Sequence, residues 1–103
     1  MTQAAGATHE APWRLCGLAG ELTLPPGRVT VGRSRVNALV LAELTVSARH
    51  ATLEAIADGV MVTDVGSTNG TRINNDALPP LGGKIARAGD RIRFGTTEFQ
   101  LLR

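Results

Sequence analysis

Three short stretches hold the side chains with chemistry to offer. "VGRSR" (31–35) brings Arg33, a planar fork of N–H donors with permanent charge. "VSARH" (46–50) brings the Ser47 hydroxyl, and "GSTNG" (66–70) brings the Thr68 hydroxyl and the Asn69 amide. None of the three contains an acid. Donors without a carboxylate suit a dianion with several acceptor oxygens, such as a phosphate. They do not suit general acid–base catalysis, which needs a positioned histidine or carboxylate with a tuned pKa. No nucleophile, base and acid fall together, so no enzyme and no catalytic residue are expected.

The longer run "DVGSTNGTRIN" (64–74) is richer than a turn requires. Asn69-Gly70 alone reads as a plain hairpin turn. The added Gly66, Ser67 and Thr68 suggest a loop shaped to hold something. Asp64 follows Val60 and Val62 in strand alternation and is expected to turn inward, accepting hydrogen bonds from loop N–H groups. Open backbone N–H groups are expected at Gly32 and Gly70.

Elements of period two must position these stretches. "RVTVGR" (28–33) alternates, with Val29 and Val31 on one face. "HATLEAI" (50–56) places Ala51, Leu53 and Ala55 together, and "VMVTDV" (60–65) follows the turn signal Asp58-Gly59. "DRIRFG" (90–95) sends Ile92 and Phe94 inward and Arg91 and Arg93 outward. Further strands are read at 13–18, 20–25, 38–41, 71–74 and 97–102. Pro79-Pro80 and Gly82-Gly83 mark a long connection. The rival reading, a helix within 39–57, mixes β-branched Val40, Thr45 and Val46 and lacks a cap or a steady stripe. The expectation is all-β, an antiparallel β-sandwich of about ten to eleven short strands. Strand ends gather at two rims in such a fold, so the three stretches meet at one of them.

Length and composition set the bounds. A chain of 103 residues suits one domain, read here as residues 13–103 after a flexible tail at 1–12. Ten arginines against one lysine suit bidentate capture of phosphate, or reflect base composition. A net charge of +2 and an aromatic content of 3% argue against a nucleic-acid partner, which wants a denser basic stripe and stacking rings. Cys16 is alone and reads as a buried small hydrophobe. No metal ligand set, cofactor motif, membrane span or apolar leader is read, and the cytoplasm is the default location.

The ordered set Gly32-Arg33, Ser47-x-x-His50 and Asp64-Val65-Gly66-Ser67-Thr68-Asn69-Gly70-Thr71 resembles the forkhead-associated (FHA) domain. Gly89-Asp90 and Phe94-Gly95 also fit, and the resemblance covers roughly residues 13–102. It implies an eleven-strand β-sandwich that binds threonine-phosphorylated proteins written by a Ser/Thr kinase. The phosphopeptide-binding residues it implies are Arg33, Ser34, Ser47, Arg49, Thr68 and Asn69. Arg33 and Ser47 would meet the phosphate, Thr68 the phosphate and the threonine methyl, and Asn69 the peptide backbone. Ser34 and Arg49, with Arg35, are rim residues that either stay solvated or touch the peptide. Gly32, His50, Asp64, Gly66 and Gly70 would support the site, His50 by holding Ser47. Arg72 is placed near the residues after the phosphothreonine.

Some positions depart from the pattern. Ala48 stands where the family often has a polar or basic residue that helps bind phosphate. Ala38 stands where an acid is frequent, and Asn74-Asn75 where Asn-Gly is common, which calls for a left-handed Asn75. Ala48 keeps open a second reading, an FHA-like scaffold that binds its partner without phosphate. Thr2 and Thr8 keep open self-binding through a phosphorylated tail.

Overall fold

The computed structural model describes residues 12–103. The tail read at 1–12, with Thr2 and Thr8, therefore lies outside the described residues except for Pro12. Eleven strands follow: β1 Arg14–Gly17, β2 Gly20–Thr23, β3 Arg28–Gly32, β4 Leu39–Val40, β5 Ala51–Ile56, β6 Gly59–Asp64, β7 Thr71–Ile73, β8 Asp76–Ala77, β9 Gly83–Ala86, β10 Arg91–Phe94 and β11 Thr97–Leu102. They form a five-stranded sheet, β9-β6-β5-β3-β4, and a six-stranded sheet, β2-β1-β11-β10-β7-β8. Every pairing is antiparallel except β3 with β4. No helix forms among the described residues, so the 39–57 alternative falls. That stretch divides into β4, a loop and β5.

The alternation of apolar residues explains the sandwich. Each strand shows one face to the other sheet and one to water. Val29 and Val31 of β3, Leu53 of β5, Val60 and Val62 of β6, Ile92 and Phe94 of β10, and Phe99 and Leu101 of β11 all fill the interior. Arg93 pairs with Arg72 on one side and Glu98 on the other, on the outward face. Phe94 lies near the centre of the core and is fully buried. Its ring centroid is 5.8 Å from that of His50, edge to face, and 6.2 Å from that of Phe99.

Several expectations require correction. Ala55 is exposed, although its cross-strand partner Val60 is fully buried. The two-residue turn of the β5–β6 hairpin is Ala57-Asp58, and Gly59 already pairs with Ile56. A side chain at Gly59 would run into the Ala86 carbonyl, so the glycine serves strand packing and not the turn. The connection after residue 74 contains two strands of its own, β8 and β9. Both lie at sheet edges and carry few apolar residues, which hid them from a pattern search. Cys16 is half-buried, because alternation along β1 turns Leu15 inward and Cys16 outward.

Among the described residues, two other than glycine have positive φ, Asn74 at 57° and Leu81 at 62°. The left-handed position is thus Asn74 and not Asn75. Its amide offsets the strain, with Oδ1 accepting from Arg91 N at 3.1 Å and Nδ2 donating to Asp90 Oδ1 at 3.3 Å.

Replacing Phe94 with alanine leaves a cavity beneath the His50 ring and is expected to cost about 3–5 kcal/mol. Urea denaturation would show it as a lower midpoint at unchanged slope.

Candidate functional site

Three loops meet where β3, β6 and the residues before β5 end. The chain leaves β3 at Gly32, which is buried against the loop before β5. A Cβ there would collide with the Ala48 carbonyl and lie 2.6 Å from Asn37 Nδ2, so only glycine permits the approach. Arg33 N then donates to Ser47 O at 2.9 Å, and Ser34 N to Ala48 O at 3.2 Å. Asn37 fastens the same two loops. It is 7% exposed, and its amide donates to Ser34 O at 2.8 Å and Ala48 O at 2.7 Å. Asn37 was not singled out from the sequence. Its signal was a single polar residue set in the short apolar run "VNALV".

His50 joins the second loop to the third. The ring is fully buried. Its Nδ1 accepts from Ser47 N at 3.0 Å, and its Nε2 lies 2.9 Å from the Gly70 carbonyl. A carbonyl only accepts, so the proton sits on Nε2. The imidazole is consumed at both nitrogens by backbone, which is a positioning role and leaves nothing for proton transfer.

Asp64 shapes the third loop from below. It is 2% exposed at the end of β6. Oδ1 accepts from Gly66 N at 2.7 Å and Ser67 N at 2.9 Å, while Oδ2 accepts from the hydroxyls of Ser67 and of Thr71, the latter at 2.8 Å. The Ser67 oxygen in turn accepts from Gly70 N at 2.9 Å. The N–H of Gly70, expected to be open, is therefore taken. Gly66 and Gly70 have φ of 94° and 86°, which lets the loop close around the carboxylate. Burial alone would raise the Asp64 pKa. The hydrogen bonds donated by Ser67, Thr71 and Gly66 outweigh it and hold the carboxyl below the ordinary value.

The upper surface gathers the predicted binding groups. Ser47 Oγ accepts from Thr68 N at 2.9 Å, which locks its position and leaves its own proton to donate. Asn69 Nδ2 donates to Thr45 O at 2.9 Å, leaving the amide oxygen on an exposed side chain. Arg33 is exposed, with one long bond of 3.4 Å from Nη1 to Leu44 O and its other donors uncommitted. Thr68 is exposed beside them. The turn between β10 and β11 completes the rim. Gly95 N donates to Gly70 O at 3.0 Å, Thr96 N donates to Thr45 Oγ1 at 3.0 Å, and the Thr45 and Thr96 hydroxyls lie 2.8 Å apart. Sequence reading missed Thr45 and Thr96, which no local motif marks.

Arg33, Ser47, Thr68 and Asn69 thus come together on one rim. Ser34 is half-buried, and its hydroxyl oxygen accepts from Val36 N at 3.4 Å within the turn. Arg49 is exposed and free of protein partners among the described residues. Ala48 is exposed and presents only a methyl group. Arg72 is drawn the other way, donating to Asn75 O at 2.9 Å at the far end of β7. Among the described residues no three His, Cys, Asp or Glu side chains are grouped as metal ligands, and no helix is long and apolar enough to cross a membrane.

A depressed carboxylate stabilises the fold above its unfolded pKa, and this contribution fades as pH falls through the lower folded value. Asp64→Asn is expected to cost about 2–3 kcal/mol at neutral pH, in line with hydrogen bonds to a charged group. The variant should also show a flatter loss of stability between roughly pH 5 and pH 2 than the parent. Denaturant titrations across that range would measure both.

Comparison with known proteins agrees with this geometry. The model of the FHA domain family matches residues 29–95. An ABC transporter ATP-binding/permease protein of Mycobacterium tuberculosis is 44% identical over 82 residues, which are 80% of this chain and 9% of the transporter. An oxoglutarate dehydrogenase inhibitor of Corynebacterium efficiens is 36% identical over 73 residues, 71% of this chain and 48% of the inhibitor. The chain thus spans less than half the length of either relative. Among solved structures, the FHA domain of an Arabidopsis thaliana hypothetical protein superposes with a TM-score of 0.82 at 25% identity, covering 99% of this chain and 93% of that one. An FHA domain whose interactions are described as phosphothreonine-dependent gives 0.74 at 28% identity, covering 88% and 93%. A family match across this span, on a sandwich whose rim gathers the expected residues, shows that the chain belongs to the FHA domain family.

Proposed function

We propose that this rim binds phosphothreonine in a partner protein, with Arg33 and Ser47 on the phosphate, Thr68 beside it and Asn69 on the peptide backbone. One observation carries the reading: a guanidinium and a positioned hydroxyl stand together above a loop whose carboxylate, Asp64, is buried and saturated with donors. A phosphate dianion would find donors there, while the Asp64 charge beneath is already met by donors of its own loop. A solved FHA domain, 28% identical, was captured in complex with the intracellular domain of another protein, in keeping with a module that docks protein segments. The partner is then a protein marked by a Ser/Thr kinase, met in the cytoplasm where such kinases work. The role is recognition, and no residue is assigned a catalytic step.

The test is fluorescence anisotropy with matched phosphothreonine, phosphoserine and unphosphorylated peptide libraries. Arg33→Ala and Ser47→Ala each remove a charge-assisted contact of about 1.5–3 kcal/mol, hence about ten- to a hundredfold in affinity. Arg33 is exposed and Ser47 half-buried outside the hydrophobic core, so circular dichroism should show intact folds. Normal phosphopeptide binding by both variants would refute the assignment.

Ala48 makes a converse prediction. Ala48→Arg adds a donor fork beside Ser47 and is expected to strengthen phosphopeptide binding about tenfold. A gain of this kind cannot arise from misfolding. If the parent binds its partner equally with and without phosphate, the phosphate-independent reading replaces this one.

A further inference from the structure

The outward face of the six-stranded sheet carries charges that the fold leaves unbalanced. Arg72 of β7 and Arg93 of β10 are direct cross-strand partners, so two guanidinium-bearing side chains stand side by side on one face. Like charges directly opposite one another destabilise a sheet. Arg91 lies two residues back along β10 and therefore on the same face. Glu98 of β11, opposite Arg93, is the carboxylate set against this group. It is drawn to Arg91, with Oε2 3.8 Å from Nε. Arg72 spends one N–H on a neutral carbonyl, from Nη1 to Asn75 O at 2.9 Å. Arg14, farther across the face, has its own partner in Glu21 at 3.0 Å.

Arg93 has no acceptor within the described residues. It makes no hydrogen bond or ion pair there, and its Nε is shielded from water as well. A shielded N–H without a partner is uncommon, because the group loses its hydration and recovers no bond. Core packing does not account for it, since the side chain stands on the face turned away from the core. The face is also separate from the phosphate rim. β7 and β10 reach that rim where Gly95 N meets Gly70 O. Arg93 and Arg91 lie two and four residues from Gly95, about 7 Å and 13 Å along a strand. Their side chains stand across the sheet, whereas the rim loops project from its end.

We propose that Arg72, Arg91 and Arg93 form a second docking surface, which takes an acidic segment of a partner protein and works without phosphate. Charge complementarity selects the occupant. A carboxylate matches the guanidinium fork with two parallel hydrogen bonds, and its charge offsets the repulsion between the paired arginines. A nucleic acid fits less well. Its continuous row of phosphates would meet Glu98 and Glu21, which share the face, and every Trp and Phe ring of the chain is buried and cannot stack. The surface follows from strand register alone and does not depend on the phosphothreonine reading.

The experiment uses a short peptide of alternating glutamate and glycine as probe. A glutamine–glycine peptide is the neutral control, and oligothymidylate of equal charge is the rival polyanion. Binding is followed by NMR at low salt, where surface charges are least screened, through backbone amides and arginine Nε–Hε signals. The acidic probe is expected to shift the Arg93 Nε–Hε signal and the amides of β7 and β10, and to leave the 66–70 loop in place. Arg72→Gln and Arg93→Gln should each weaken it about tenfold. Arg93→Gln sheds a like charge and an orphaned donor, so it should melt at or above the parent temperature, which separates lost binding from misfolding. Arg93→Lys keeps the charge without the fork and should recover only part of the affinity. Phosphothreonine-peptide binding should be the same in parent and variants. The proposal is overturned by shifts confined to the rim, by no shift at all, by parent-like binding in both glutamine variants, or by oligothymidylate binding more tightly than the acidic peptide. A loss of phosphopeptide binding in Arg93→Gln would place these arginines in the rim site and overturn it equally.

Discussion

The buried carboxylate of Asp64 is the constraint on which the rim depends. A charge inside a small sandwich is costly unless every lone pair is met. Two N–H groups and two hydroxyls meet this one, and all come from residues 66–71. Satisfying the charge therefore dictates the path of the loop. Left-handed Gly66 and Gly70 follow from that path, since the chain must curl over a point and return within a few residues. The loop is held from below by a core residue and its exposed side chains are left for a ligand.

His50 performs the matching task sideways. Its two ring nitrogens tie the backbone of Ser47 to that of Gly70, so the hydroxyl and the loop keep a constant spacing. The ring lies edge-on to Phe94 in the hydrophobic core, where it cannot rock without disturbing the packing. Asn37 repeats the device between the first and second loops. Each binding loop is thus fastened to its neighbour by a buried side chain bonded to backbone. A site ordered in advance spends little of its binding energy on ordering loops, which suits a module built for recognition. The few groups left uncommitted, Arg33 and the hydroxyl proton of Ser47 above all, are donors aimed outward.

Ala48 presents only a methyl group beside Ser47, so the donors at the centre of this rim are the Arg33 guanidinium and the Ser47 hydroxyl.

Much was legible in the chain. Period-two alternation in "RVTVG", "VMVTD" and "DRIRF" set strands and inward faces, since side chains on a pleated strand have no other pattern available. The polar stretches at 31–35, 46–50 and 66–70 marked the loops that the fold gathers at one rim, because each interrupts the apolar alternation of its strand with hydrogen-bonding side chains. The inward turn of Asp64 followed from counting by two along β6. Tertiary structure decided the rest. The edge strands β8 and β9 carry too little apolar residue to show a period, and pairing with β7 and β6 is what makes them strands. Asn37, Thr45 and Thr96 enter the rim through bonds to residues far along the chain, so no local motif records them. The occupied Gly70 amide and the left-handed Leu81 are by contrast local, set by the Ser67 hydroxyl and by the turn that Gly82 N closes onto Pro79 O. Local sequence specifies what a residue can offer; contact across the fold specifies which offers are taken up and which remain for a partner.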